Sequence, residues 1–402
     1  MTLDEALARL LQGIRPLAER ETLSTFDALG RVLAEDVVSL LDVPPADNTS
    51  MDGYALRAAD VPVAGTALPV SQRIPAGVVG QPLQPGTAAR IFTGAQVPRG
   101  ADAVVMQEQC EAVESGVRVN VVPEPGQWVR RRGEDVQRGS VVLAAGTRLT
   151  PQALGLAASV GAATLSVARR PRVALFQTGD ELAMPGEPLK PGAIYNSNRF
   201  TLRGLLQALG CECIDLGFVM DTLEATRDAL RRAAAQADLV LTCGGVSVGE
   251  EDHLRPAVEA EGRLDLWQIA IKPGKPLAFG ELRRPHADAS TAYFIGLPGN
   301  PVSSFVTFLL AVRPLLLKLQ GAVPAPPLGL LARADFDWPR PDRRREFLRV
   351  RRNADGGLDL FPNQSSGVLT SVVWGDGVVD NPSGQAIARG DLVRYLGLAE
   401  LL

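Results

Sequence analysis

The chain has 402 residues, 46% hydrophobic and 21% charged, with a net charge of −4. That length exceeds one ordinary core, so about two to four domains are expected. The near-neutral balance and the lack of a long basic run exclude general nucleic-acid binding, so any anion site must be local.

No run of 18 uncharged apolar residues occurs, so no membrane-spanning helix is expected. The first 20 residues, with Asp4, Glu5 and Glu19, lack a signal-peptide layout. Four cysteines argue against a disulfide scaffold, and Cys211 and Cys213 read as buried structural thiols. Two histidines, His253 and His286, are too few for a zinc cluster or for most serine–histidine chemistry. A cytoplasmic enzyme working through carboxylates, lysines and a divalent cation fits this inventory.

Residues 2–18 read as an amphipathic helix capped by Thr2, and a second helix is expected at about 24–34, through Phe26, Leu29 and Val32. Val37-Val38 is strand-like. Residues 55–147 carry short apolar runs split by Gly and Pro, the cadence of an all-β module. Residues 150–170 return to helix and strand. From Arg172 the pattern becomes βαβ: strands at Val173–Phe176, Cys211–Leu216, Leu239–Thr242 and Tyr293–Leu297, helices at Asn198–Leu209 and Thr222–Gln236. Residues 252–261 look helical, and Leu266–Ile271 and Leu277–Gly280 look like strands. A long helix starts with Pro301 at its first position and runs to about Gln320. Alternating elements predict a mainly parallel sheet covered on both faces, with ligands at the carboxyl ends of its strands. The proline-rich stretch 322–327 is a stiff linker, and 328–402 read as a small β domain.

Three glycine-rich strings lie at those predicted strand ends. They are Gly244-Gly245-Val246-Ser247-Val248-Gly249 followed by Asp252, then Lys272-Pro273-Gly274-Lys275-Pro276, then Gly296-Leu297-Pro298-Gly299-Asn300-Pro301. A strand ending in glycine exposes N–H groups to a phosphate with no Cβ in the way. Ser247 adds a hydroxyl, and the prolines frame Lys272 and Lys275. Glu181, in Thr178-Gly179-Asp180-Glu181-Leu182, and Asp221 fall on the same predicted edge as Asp252. Three carboxylates beside two lysines suit Mg²⁺ holding a phosphate. Each carboxylate also reads as a turn or helix-cap residue. Asp52 in Ser50–Ala55, Thr93 in Arg90–Ala95 and Asp135 in Arg132–Asp135 sit in strings that, alone, read equally as turns between strands.

Taken in order, these strings resemble the molybdopterin molybdenumtransferases, the MoeA family related to the gephyrin E domain, across about residues 1–400. The resemblance implies a multidomain α/β plus β fold. A discontinuous N-terminal domain (1–45 and 140–170) flanks an inserted β domain (46–139). A three-layer α/β molybdopterin-binding domain (171–321) and a small β-barrel-like domain (328–402) follow. It implies an enzyme that takes adenylylated molybdopterin and molybdate with Mg²⁺ or another divalent cation, releases AMP and delivers the molybdenum cofactor. Glu181, Asp221 and Asp252 would handle the cation and the diphosphate. Gly244, Gly245, Ser247, Pro298, Gly299 and Asn300 would line the substrate site, and Lys272 and Lys275 would bind the pterin phosphate or molybdate. Asp52, Thr93 and Asp135 would complete the site from the second subunit of a homodimer. Arg349 and Ser366 match positions implicated in oxyanion binding, although the family's Gln-Gly-Ser-Gly string reads Gln364-Ser365-Ser366-Gly367 here. Transient contacts with other cofactor-biosynthesis proteins and acceptor molybdoenzymes would follow. Two other readings are open: a molybdopterin adenylyltransferase with a related α/β domain, and a cofactor carrier or scaffold without turnover. The extra sequence at 1–170 and 328–402 favours the insertase over the first. The three carboxylates and two lysines argue against the second.

Overall fold

The computed structural model describes residues 1–246, 253–284, 290–323 and 327–401. Ser247 and Asp252, and 324–326 of the proline-rich stretch, lie outside the described residues.

Among the described residues, six strands form the central sheet, in the order Glu212–Val219, Arg172–Thr178, Leu239–Cys243, Thr291–Leu297, Pro276–Arg283, Gly262–Gln268. The first four run parallel, Pro276–Arg283 runs antiparallel to them, and Gly262–Gln268 is antiparallel in turn to Pro276–Arg283. Only residues 269–275 join the last two strands in chain order, a connection too short for a parallel crossover. Side chains alternate between faces. Val173, Leu175, Leu239, Leu241 and Ile295 pack on one side, and Ala174, Phe176, Val240 and Phe294 on the other. The first face is covered by Leu3–Gly13, Ser197–Ala208 and the helical run Pro301–Leu319, the second by Leu223–Gln236 and Leu254–Glu261. The expected three-layer arrangement is therefore present.

Local chemistry explains these helices. Thr2 Oγ1 accepts the Glu5 N–H at 3.2 Å while Glu5 Oε2 accepts the Thr2 N–H at 2.9 Å, a capping box that starts the first helix. That helix ends at Gly13, short of the expected residue 18, where Ile14 turns extended. Thr222 caps Leu223–Gln236 through its side chain. Pro301 opens the long helix, which passes through a π segment at Phe308–Val312 before Arg313–Leu319. Pro314 supplies no N–H and crowds the preceding turn, which accounts for the bulge just before it. By length and composition alone this run is apolar enough to cross a membrane, but 72% of it is buried in the fold, where it serves as a core helix.

The helix expected at 24–34 does not form. Thr25–Asp27 is a single 3₁₀ turn, and Phe26 is 92% exposed. Gly30 takes φ +75°, which ends any helix there. Val32 and Leu33 are buried as extended chain, bridged to Arg148 and Val167.

Strands before and after the insertion pair with each other: Arg20–Ser24 with Thr164–Ala168, and Val37–Val38 with Val141–Leu143. Among the described residues the insertion carries three small sheets, one of which contains Gly53–Leu56 between Ala88–Ile91 and Ala103–Met106. At the C-terminus, Arg345–Arg352 pairs with Gly357–Leu360, which pairs with Leu330–Ala334, then Leu392–Gly397, then Gly377–Asn381, and back to Arg345–Arg352. This closed barrel leaves little free edge. The short strand Ile271–Lys272 of the α/β domain adds to it, parallel to Arg345 and Glu346.

Phe294, fully buried between the sheet and its second helical layer, gives a test of this packing. Phe294→Ala is expected to destabilise the α/β domain by about 3–5 kcal/mol, measured by urea unfolding; a loss below about 1 kcal/mol contradicts the packing described.

Candidate active site

A cavity of about 660 Å³ opens at the carboxyl ends of Arg172–Thr178, Leu239–Cys243 and Thr291–Leu297. Glycine makes its walls possible. Gly244 takes φ +95°, and a Cβ there would lie 2.9 Å from the Thr178 carbonyl oxygen. Gly179 takes φ +139°, and a Cβ there would lie 2.6 Å from Glu181 Oε2. The Glu181 carboxylate thus curls back over Gly179. Glu181, Asp221, Gly244, Gly245, Pro298, Gly299 and Asn300, all singled out from the sequence, line this one cavity.

Two helix N-termini also reach it. Asn196, 3% exposed, caps Ser197–Ala208 by accepting the Arg199 N–H at 3.1 Å, and Ser197 and Asn198 line the wall. Asn198 Nδ2 donates to the Gly299 carbonyl at 2.7 Å and to Cys243 Sγ at 3.1 Å, which ties that helix to the Pro298–Asn300 turn. Burial pushes the Cys243 thiol up to about 11, so it is a neutral packing group. Pro301 and Ser303, at the start of the long helix, line the opposite side, and Asn300 makes no side-chain cap bond. Two positive dipole ends therefore face one space.

No lysine or arginine is among the described residues lining the cavity, whereas two carboxylates are. Among the described residues no group of three or more His, Cys, Asp or Glu is gathered for a metal. Two hard oxygen donors facing N–H dipoles fit Mg²⁺, which takes few carboxylates and completes its shell with phosphate oxygens and water. Gln177, 1% exposed on the cavity floor, adds an amide nitrogen without a partner among the described residues. Asn196 Nδ2 donates to its Oε1 at 3.4 Å, which leaves the nitrogen end as the donor. Sequence reasoning missed Gln177, Asn196, Ser197 and Asn198. An Asn ahead of a helix was the available signal, but it marks any helix cap.

Neither lysine lines the cavity, although Pro276 does. Lys272 Nζ lies 3.1 Å from Glu346 Oε1 and 3.4 Å from Asp342 Oδ2 of the barrel. Lys275 is exposed, and its carbonyl accepts the Ile269 N–H at 3.0 Å. Between them Gly274, at φ +113°, packs so close to the long helix that a Cβ would fall 2.3 Å from Thr307 Oγ1.

The barrel reaches the cavity through Gly367. The Ser366 carbonyl accepts the Val302 N–H at 3.0 Å, in the first turn of the long helix. Arg349 does not line the cavity: it is 1% exposed, and burial pulls its guanidinium down to about 10. It donates to the carbonyls of Phe347 and Ser365 at 3.1 and 3.3 Å and to Ser371 Oγ at 3.2 Å, bracing the loop that carries Ser366. Among the described non-glycine residues only Trp128 has a positive φ, so Ser365 sits in an unstrained backbone conformation.

Asp52, Thr93 and Asp135 do not line the cavity either. Asp52 Oδ1 accepts both the N–H and the hydroxyl of Thr93 at 2.7 Å, and these bonds hold its carboxyl below the usual aspartate range. The contact is thus kept above the ordinary aspartate pKa and lost as pH falls through the depressed value. Asp135 is exposed, and its N–H donates to the Val43 carbonyl at 3.0 Å.

Fold and cavity define a multidomain protein with an α/β core, open at its strand ends, that two β modules flank in one chain. Residues 1–161 match the family model described as the MoeA N-terminal region (domain I and II), 174–318 the probable molybdopterin binding domain, and 331–398 the MoeA C-terminal region (domain IV). The chain is 46% identical over 323 residues to the molybdopterin molybdenumtransferase of Haemophilus influenzae, covering 80% of this chain and 78% of that protein. It is 40% identical over 311 residues to that of a Nostoc species, covering 75% and 70%. A solved structure of the molybdopterin biosynthesis MoeA protein of Pyrococcus horikoshii superposes with a TM-score of 0.85 at 31% identity, covering 98% of this chain and 99% of that one. The chain belongs to the molybdopterin molybdenumtransferase (MoeA) family.

Gly244→Ala puts a methyl against the Thr178 carbonyl in a backbone conformation that alanine avoids. It is expected to lower kcat/KM by about 100-fold with the far-UV circular dichroism unchanged; full activity contradicts the role given to this turn.

Proposed function

We propose that the protein inserts molybdenum into molybdopterin: it binds adenylylated molybdopterin and molybdate with Mg²⁺, breaks the phosphoanhydride, releases AMP and delivers the molybdenum cofactor. The observation that carries this reading is the single cavity uniting Glu181, Asp221, the Gly244-Gly245 turn, Pro298–Asn300 and two helix N-termini. The family membership supports it, since related proteins carry the name molybdopterin molybdenumtransferase.

In this reading the Gly245 N–H and the positive ends of the two helix dipoles face the phosphate oxygens, as oriented dipoles without mobile counterions, while the Gly244 N–H donates to the Leu297 carbonyl at 3.1 Å and shapes the turn. Gln177 donates to an acceptor of the ligand at the cavity floor, and Asn196 sets which end of its amide points there. Glu181 and Asp221 would hold Mg²⁺, which when bound neutralises charge on the diphosphate. Asp252 belongs with them in this proposal. Breaking the anhydride then needs alignment more than a protein nucleophile, in keeping with the neutral, buried thiol of Cys243. Molybdate is a tetrahedral dianion suited to lysine and N–H donors, and Lys272, Lys275 and the Ser366 loop are the groups nearest that task.

The cavity takes none of Asp52, Thr93 or Asp135 from its own chain. In this reading the second copy of a homodimer supplies them.

Full-length protein with adenylylated molybdopterin, molybdate and Mg²⁺ is expected to release AMP only when molybdate is present, and to reconstitute a cofactor-free molybdoenzyme. AMP kept bound, with no cofactor delivered, would favour a carrier. Removing the divalent cation with a chelator, or making Glu181→Gln or Asp221→Asn, is expected to cut turnover by about 100-fold or more while melting temperature holds. Asp52→Asn keeps the acceptor for Thr93 but removes the charge, so it should lose activity with the fold intact; undiminished turnover would restrict Asp52 to a structural part.

A further inference from the structure

We infer that Glu346, on the C-terminal barrel, is a positioning residue for Lys272: it fixes the direction in which the lysine ammonium presents its remaining donor to an anionic substrate. This rests on the proposed function, in which the Lys272 segment contacts such a substrate.

A lysine ammonium has three N–H donors. Two of those of Lys272 have carboxylate acceptors, Glu346 Oε1 at 3.1 Å and Asp342 Oδ2 at 3.4 Å. Both acceptors are themselves held. Glu346 is 1% exposed, and its other oxygen accepts Trp338 Nε1 at 2.9 Å and the Asp342 N–H at 3.0 Å. Asp342 is gripped by Arg344, whose Nε meets Oδ1 and whose terminal nitrogen meets Oδ2, each at 3.0 Å. The backbone registers the pair, since Ile271 and Lys272 lie opposite Arg345 and Glu346 in a parallel ladder. With two donors pinned, the direction of the third is set, and the lysine side chain stays 38% exposed.

Charge agrees with this arrangement. Lys272 and Arg344 balance Glu346 and Asp342, so the cluster stands without drawing an extra ion, and an arriving anion meets an ammonium already oriented. A carboxylate taken out of water and given three donors is costly to build for a lysine that only needs solvation. The competing explanation is a clamp that merely fastens the barrel, and it makes different kinetic demands.

The experiment uses full-length protein and the molybdate-dependent AMP-release assay, with KM measured separately for molybdate and for adenylylated molybdopterin. Glu346→Gln and Asp342→Asn are each expected to raise one of these KM values about tenfold, while kcat stays within about twofold. The substrate whose KM moves is the anion that Lys272 holds. On a Lys272→Met background neither change should cost anything more. Glu346→Gln places an amide N–H₂ where an acceptor is required, so Asp342→Asn, at the more exposed anchor, carries the test if the first variant fails to fold. Losses that add to those of Lys272→Met, or a fall in kcat and melting temperature with both KM values unmoved, overturn the positioning role and leave the functional reading standing. Wild-type protein without molybdate-dependent AMP release overturns both.

Discussion

The parallel ladder between Ile271–Lys272 and Arg345–Glu346 is the constraint on which the site depends. It takes the loop joining two antiparallel strands of the central sheet and fastens it to the wall of a separate barrel. The consequence is felt at the cavity. With the barrel seated there, the Ser366 carbonyl reaches the Val302 N–H and Gly367 lines the cavity beside Asn300 and Pro301. Buried Arg349 braces that loop from behind. Central domain and barrel thus share one cavity wall, and a change at the ladder is a change at the site.

The electrostatics of the cavity follow from its backbone. Strands that end in Thr178-Gly179, Cys243-Gly244 and Leu297-Pro298-Gly299 leave space where side chains would otherwise stand. Helix starts at Asn196 and Asn300 aim two further dipoles at the same volume. The positive ends there are those of fixed peptide groups, while the charged side chains among the described lining residues are the carboxylates Glu181 and Asp221. Dipoles of this kind need no reorganisation when an anion arrives.

Much of this was legible in the sequence because it is local. Thr2, Thr222 and Pro301 mark helix starts through chemistry within one turn. The glycine strings mark strand ends, and alternating strand and helix patterns imply that those ends share an edge. What was not legible depends on tertiary pairing. Gln177 and Asn198 gain meaning only when the sheet order sets Arg172–Thr178 beside Leu239–Cys243 and the Gly299 turn. Lys272 and Lys275 look equivalent in Lys-Pro-Gly-Lys-Pro, yet one is anchored to the barrel and the other is exposed. The barrel closes through a parallel pairing of Arg333-Ala334 with Gly357-Leu358 that no turn signal announces. The residues around Phe26 carry a helical pattern, but Gly30 and the bridges of Val32 and Leu33 pull the chain straight.

The most direct measurement is a crystal structure of the protein with adenylylated molybdopterin bound. The expected result is the diphosphate against Gly244-Gly245 between the starts of Ser197–Ala208 and the long helix, with Glu181 and Asp221 facing it. A ligand seated instead in the groove between the N-terminal helix and the barrel, near Asp4 and Arg345, would contradict the assignment of the cavity.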